Sequence, residues 1–199
     1  MQLTIKMWGM SIIALALIVI AIAYAVAPSA ASPESLSEHI GYMLRVTARV
    51  GFGALLLAYV ARPLVLLIGW GRPLLIQRRY IGLAAAASLT IHFGYVSAFL
   101  ITSGEPLDWI TGVFAGAAFA LMWAMALTST DAARRRLGAG WKRLHSIGIH
   151  YVWLIFMQTF IGVALESGSR WAEVMAALGL VALCIRMAGW LSQRFKRTA

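Results

Sequence analysis

The sequence contains few charged residues, very few acidic residues and a single cysteine. Only 12% of its 199 residues are charged, whereas 61% are hydrophobic and the mean hydropathy is +0.82. A soluble domain usually has about 25% charged and about 45–50% apolar residues. This composition excludes a disordered chain, argues strongly against a soluble fold and leaves no stretch for a soluble catalytic domain. We therefore expect residues 1–199 to form one domain within a lipid bilayer.

Several kinds of chemistry lack their motifs. The lone cysteine, Cys184, excludes an intrachain disulfide and has no CxxCH context for a covalently attached haem. The sequence has no glycine-rich nucleotide loop, no HExxH, no cysteine cluster and no GxSxG elbow. With 7 Asp and Glu residues, most of them between the apolar stretches, a carboxylate-driven pump or ion exchanger is also poorly supplied.

Long apolar stretches make up most of the chain. A helix needs about 20 apolar residues to cross the hydrocarbon core, and it satisfies its own backbone hydrogen bonds there. No ten-residue alternation typical of a membrane β-barrel is present. The sequence therefore predicts an all-α bundle of six transmembrane helices, the second bent or interrupted at Pro63. The spans cover about 8–27, 40–68, 80–102, 109–129, 144–165 and 171–191.

The loops between these spans alternate in charge. Lysine and arginine concentrate in cytoplasmic loops of membrane proteins, so the alternation predicts that both termini are cytoplasmic. The net charge of +10 then reflects topology, and we expect lipid rather than nucleic acid as the partner. The basic segments are the loop after span two (Arg62, Arg72, Arg78, Arg79), the loop after span four (Arg134, Arg135, Arg136, Lys142, Arg143) and the tail (Arg194, Lys196, Arg197). The acidic loops are those after span one (Glu34, Glu38) and span three (Glu105, Asp108). The loop after span five carries both signs of charge.

Two features of the span ends have simple interpretations. The first span resembles a signal peptide in its basic start and small residues, but its apolar run is nearer 20 residues than the usual 7–15, so we expect a retained helix. Tryptophans at predicted span ends are typical interfacial anchors, namely Trp8, Trp109, Trp141, Trp171 and Trp190.

Histidines within the spans are the main candidates for chemistry, because ionisable groups in a bilayer are costly. His92 lies about 18 Å along the third span from its basic end, where a neutral imidazole needs a hydrogen-bond partner or a metal. His145 and His150 enter the fifth span from the basic side, about 140° apart around the helix, so one iron could not bind both. His39, in the acidic loop, is expected to be solvated.

Arg45 and Arg49 stand four residues apart near the outer end of the second span, so they share one helix face. One interpretation is that both side chains extend to the lipid headgroups. The other is that they bind the carboxylates of a cofactor near that surface.

Over about residues 40–165, the sequence resembles the ferric reductase-like transmembrane domain family. The resemblance lies in the order of spans, in Arg78-Arg79-Tyr80 with His92 deep in the span that follows, and in a segment after span four. That segment combines Thr128-Ser129 with Arg136-Leu137-Gly138 and Trp141-Lys142-Arg143-Leu144-His145.

The resemblance implies a bundle that binds haem b through histidines of spans three and five and transfers electrons. His92 and His145 match ligand positions. The relatives carry a second span-five histidine thirteen residues after the first, where this chain has Gln158 and instead offers His150. We keep His92, His145 and His150 as candidate iron ligands, for one haem b and two at most. Without a flavin or nicotinamide domain, electrons would come from quinol or a separate reductase and leave to a separate acceptor.

The resemblance also implies the inner membrane of a bacterium, and a quinone as a second candidate cofactor. Two imidazoles on one iron would leave no open position for a substrate, which favours electron transfer. The alternative is a haem-free membrane protein, such as an assembly factor or small transporter, that keeps the bundle. Gln158 is the residue that most favours this alternative.

Overall fold

The structure, a computed structural model, describes residues 2–69, 71–104, 106 and 108–198. Glu105 lies outside the described residues, as do the side chains of Lys196 and Arg197. Within this part of the chain there are seven α-helices and no strand. The helices are α1 (Gln2–Ala25), α2 (Pro33–Ile68), α3 (Arg72–Ser103), α4 (Trp109–Leu127), α5 (Asp131–Leu137), α6 (Ala139–Ser167) and α7 (Arg170–Thr198).

Six of these helices, all except α5, are long and apolar enough to cross a membrane. This confirms the predicted all-α, six-span, multi-pass membrane fold. Several helices extend beyond the predicted spans: the 36 residues of α2 correspond to about 54 Å, against about 30 Å for a hydrocarbon core. The cytoplasmic placement of both termini stays a prediction.

The start of α2 differs from expectation. Ser32 caps the helix: its hydroxyl accepts from the backbone N–H of Ser35, the Ser35 hydroxyl accepts from that of Ser32, and Pro33 occupies the first helical turn. Because the helix begins here, residues 33–39 are helical rather than part of an outer loop. The other end of α2 closes at Gly69, whose φ of 69° is a left-handed conformation that glycine adopts at low cost.

The second helix forms the centre of the bundle, since α2 packs against α1, α3, α6 and α7, while α4 joins α3 to α6. Phe52 and Tyr59 of α2 are fully buried in the core. Large apolar side chains such as Ile101 (81% exposed) and Leu165 (82%) point outward. An outer surface of this kind suits a lipid environment rather than water.

The α2 helix continues through Pro63 without interruption. Proline has no N–H, so the carbonyl four residues earlier, that of Tyr59, loses its helical donor. Arg186 of α7 supplies a replacement, with Nη1 3.0 Å from that carbonyl oxygen. The absence of a side chain at Gly189 permits this approach, because a Cβ there would lie 3.1 Å from the Cβ of Pro63.

The first helix belongs to the same bundle. Gly9 is buried, and a Cβ at this position would overlap the ring of Tyr80 on α3. The side-chain amide of Gln77 donates to the carbonyl of Ile5 at 3.1 Å. These contacts join α1 to the end of α3 that is predicted to be cytoplasmic.

The short helix α5 was not expected from the sequence. Thr130 caps it by accepting from the N–H of Ala133, and Asp131 forms an exposed ion pair of 3.4 Å with Arg134. Gly138, with a φ of 49°, separates α5 from α6. The basic loop between the fourth and fifth spans is therefore largely helical.

Candidate functional site

His92 lies on α3 and is held by Thr47 of α2, with 3.1 Å between its Nδ1 and the threonine Oγ1. The single hydroxyl proton of Thr47 is donated to the carbonyl of Met43 at 2.6 Å. Because that proton is already used, the imidazole Nδ1–H must be the donor to Thr47. This fixes the neutral tautomer that keeps Nε2 unprotonated, with its lone pair available.

The surroundings of His92 are apolar. Its ring centroid lies 6.3 Å from that of Phe156 on α6, and Phe156 stacks in turn on Phe52 at 5.1 Å. Thr47 is fully buried beneath the imidazole. A histidine that donates one ring N–H to a fixed acceptor and offers the other nitrogen has the arrangement typical of a metal ligand.

His145 has the opposite orientation. Its Nε2 lies 3.1 Å from Oγ1 of Thr128, whose hydroxyl donates to the carbonyl of Ala124 at 2.6 Å, so Nε2–H is the donor. Trp141 stacks on the imidazole at 4.1 Å and donates to the Thr128 carbonyl at 2.9 Å. The nitrogen left without a proton is therefore Nδ1. Trp141, predicted as an anchor, thus also contacts this histidine.

His150 is held within its own helix. Its Nδ1 donates to the carbonyl of Ser146 at 2.5 Å, which leaves Nε2 as the acceptor. The ring meets Tyr59 of α2 edge-on, at a centroid distance of 5.4 Å. His150 lines an open groove of about 420 Å³, together with Ser146, Ile147, Tyr151 and Leu154. Of the two span-five histidines, His150 therefore presents the more accessible nitrogen.

The structure does not bring His92 together with either of these histidines. On α2, His92 contacts Thr47 and His150 contacts Tyr59. These two contact residues are twelve positions apart, or about 18 Å along the helix. On α6, Phe156 marks the level of His92 and lies about 9 Å from the level of His150. Two nitrogens on one metal ion lie about 4 Å apart. Within the described residues, no three His, Cys, Asp or Glu side chains gather as a metal site either.

The prediction that His39 is solvated was wrong. Only 8% of its surface is exposed, its Nδ1 lies 2.9 Å from the carbonyl of Pro28, and Tyr24 meets it edge-on at 5.2 Å. The cause is the early start of α2, which places His39 on a helical turn beneath the segment that connects α1 to α2. His39 joins these two helices structurally.

Arg45 and Arg49 lie on α2 at the level of Thr47. Arg49 is half-buried, with its guanidinium 5.1 Å from the ring centre of Trp171 on α7, a cation–π contact. Arg45 is exposed and lies close enough to act electrostatically on Arg49. Both remain candidates for binding an acidic group at this end, since neither forms an ion pair among the described residues.

Sequence analysis did not connect a second pair of arginines with the candidate site. Arg78 of α3 donates through Nε to the carbonyl of Ala58 at 2.9 Å, next to the bond from Arg186 to Tyr59. Tyr59 also stacks on Trp153 and meets His150, so the arginines border the span-five histidines. Pro63 was the available signal, because the carbonyl that it frees requires a donor inside the membrane.

The fold and these contacts define an all-α, multi-pass membrane protein with anchored histidines at two levels, His92 in the interior and His150 beside an open groove. No known family model matches the chain. No solved structure matches it.

Proposed function

We propose that the chain is a membrane haem b electron-transfer protein. The single observation that carries the proposal is His92, an interior imidazole with Nδ1–H fixed by Thr47 and Nε2 free. The sequence resemblance to the ferric reductase-like transmembrane domain family supports it. Within that family the sequence resembles MsrQ (YedZ), the haem-binding membrane subunit of a bacterial periplasmic methionine sulfoxide reductase system.

The residues present fit haem ligation in their donor chemistry. His92 would bind iron at one level of the bundle, and His150, which also offers Nε2, would do so nearer the basic end. His145 is less suited, because Thr128 occupies its Nε2. The haem would supply one-electron chemistry. The apolar neighbours Phe52 and Phe156 would limit water near it and so influence its potential.

The separation of His92 and His150 favours two independent levels over one iron shared by both. At each level one histidine would be the protein ligand, so each iron would lack the second imidazole that the resemblance implies. The proposal is for one haem b and two at most. In this proposal, electrons enter from quinol or a separate reductase and leave to a separate acceptor protein, in the inner membrane of a bacterium.

The proposal is tested by spectroscopy on the protein purified from cells supplied with haem. We expect a reduced-minus-oxidised spectrum of the b type and a haem-to-protein ratio of one or two. Loss of all haem in both His92→Ala and His150→Ala would indicate one shared iron, and loss of about half in each would indicate separate haems. His39→Ala should retain haem, since His39 contacts Pro28 and Tyr24 instead.

A haem-free membrane protein, such as an assembly factor or small transporter, is the second candidate. Phe156 occupies the space that faces His92, and Gln158 lies exposed on the outside of α6. These two observations favour a bundle that has lost its ligand pairs. A well-folded protein with no b-type spectrum after haem supplementation would exclude electron transfer through haem and favour this candidate.

A further inference from the structure

Two guanidinium groups from different helices meet the same segment of α2. Arg78 of α3 reaches the carbonyl of Ala58, and Arg186 of α7 reaches the carbonyl of Tyr59, the next residue. Arg62 lies one helical turn further along α2 and acts electrostatically on both. Three positive charges from three helices are therefore close together at the basic end of the bundle.

Within the described part of the chain, these charges have no protein counterion. The one ion pair found there joins Asp131 to Arg134, away from this cluster. The other described acidic residues belong to the opposite loops of the predicted topology. Like charges held together in a partly apolar environment are costly unless an anion neutralises them. The arrangement therefore favours an anion from outside the chain.

The donors needed to bind such an anion are present. A guanidinium carries five N–H bonds, and the bonds to Ala58 and Tyr59 use one from Arg78 and one from Arg186. The buried hydroxyl of Tyr59 has no hydrogen-bond partner within the described residues, and Arg186 lies 4.4 Å from the centre of its ring. The remaining N–H groups of Arg78 and Arg186 are the donors available to an anion.

The level of the cluster matches that of lipid phosphates. Arg62 lies six residues before the end of α2, and Arg78 lies six residues after the start of α3, or about 9 Å from each end. The helix α2 exceeds the hydrocarbon core by roughly 24 Å in total, or roughly 12 Å at each end if centred. Arg62 and Arg78 therefore lie near the boundary between the core and the headgroups.

We propose that Arg62, Arg78 and Arg186 form a binding site for a phosphate group, namely that of an anionic phospholipid in the leaflet at the basic end of the bundle. Guanidinium groups bind phosphate oxygens in a planar, bidentate manner, and basic pockets between transmembrane helices bind anionic headgroups. The proposal does not depend on haem.

The test uses the full-length protein in detergent micelles that contain phosphatidylglycerol, phosphatidylcholine or added inorganic phosphate. Lipid retained after purification is measured by native mass spectrometry, and the thermal unfolding midpoint is measured in parallel. Wild type should retain phosphatidylglycerol in preference to phosphatidylcholine. Arg62→Gln should weaken this retention about fivefold, since a basic residue near a membrane surface contributes on that scale.

Arg79→Gln is the matched control, because Arg79 is exposed, lies at the same end and has its guanidinium over the ring of Tyr80. Its retention of phosphatidylglycerol should equal that of wild type. Inorganic phosphate alone could raise the unfolding midpoint as much as phosphatidylglycerol does. If Arg62→Gln also abolishes that increase, the ligand of the site is free phosphate and not the phosphate group of a lipid. Equal retention of both lipids by wild type, or equal losses in Arg62→Gln and Arg79→Gln, would overturn the proposal.

Discussion

Arg186 donates a hydrogen bond of 3.0 Å to the carbonyl oxygen of Tyr59, the acceptor that Pro63 leaves without a helical N–H. The same guanidinium lies 4.4 Å from the Tyr59 ring centre, as a cation–π contact. An arginine in the last helix thus compensates for a proline in the second, which explains why both are tolerated in the interior of the bundle.

The first prediction concerns this compensation. Arg186→Met should destabilise the protein by about 1–3 kcal/mol, because it leaves a buried carbonyl without a donor. In a Pro63→Ala background the same substitution should cost less, because the introduced alanine returns an N–H to the Tyr59 carbonyl. The measurement is denaturant unfolding in detergent for all four proteins of the cycle. Equal costs in the two backgrounds would show that the carbonyl is not what Arg186 stabilises.

The second prediction concerns the anchor of His92. Thr47→Val removes the hydroxyl that accepts from Nδ1–H, so the imidazole loses its fixed orientation. If His92 binds haem, the affinity for haem should fall about 10–100-fold, as for other residues that orient metal ligands. Haem titration into the purified protein, followed by absorbance, measures this affinity.

The control for Thr47→Val is Thr90→Val. Thr90 lies two residues before His92 on the same helix, and its hydroxyl donates to the carbonyl of Ala86 at 2.7 Å rather than to the imidazole. Its haem affinity should stay at the wild-type value. A similar loss in both variants would mean that the effect arises from general destabilisation of the bundle.

The six spans could be predicted because membrane insertion depends on the total hydrophobicity of about 20 residues, a property of the local sequence. The exact end of a helix depends on a few capping hydrogen bonds, so the helix ends were predicted less well than the spans. Ser32-Pro33 with Ser35 is a recognisable start signal, and the expectation that His39 is solvated did not include it. The Thr130 cap of α5 is a start signal of the same kind.

The details of the site were less predictable. That His92 lies in the interior follows from its position in a span, whereas its partnership with Thr47 depends on how α2 and α3 are aligned. The same holds for the levels of His145 and His150, which are set by the packing of α6. The bond from Arg186 to Tyr59 joins residues 127 positions apart. Such pairs become visible only once the helices are packed.

The third prediction concerns orientation. The alternating loop charges predict that the acidic loops are outside the cell membrane and the basic loops inside. In a Cys184→Ser background, a membrane-impermeant maleimide should label Ser37→Cys in intact cells. It should label Arg135→Cys only after the cells are lysed. The reverse pattern would show that both termini face outward.

The fourth prediction concerns pH and the start of α4. Asp108 accepts hydrogen bonds from the backbone N–H of Thr111 at 3.0 Å and from its hydroxyl at 3.1 Å, and these bonds hold the pKa of the Asp108 carboxyl below its usual value. Because the folded pKa is the lower one, the folded state binds this proton less readily than the unfolded state does. The resulting stability is complete above the unfolded pKa and is lost as the pH falls through the folded pKa.

Asp108→Asn separates this charge effect from helix capping, because asparagine is also a good N-cap residue but does not ionise. The difference in thermal midpoint between wild type and Asp108→Asn should be largest near neutral pH. It should shrink as the pH is lowered from about 5 to about 3, around the usual carboxyl pKa. Since Asp108 is exposed, added salt should reduce the difference at every pH. A difference that stays constant across this range would mean that the carboxylate charge does not stabilise the start of α4.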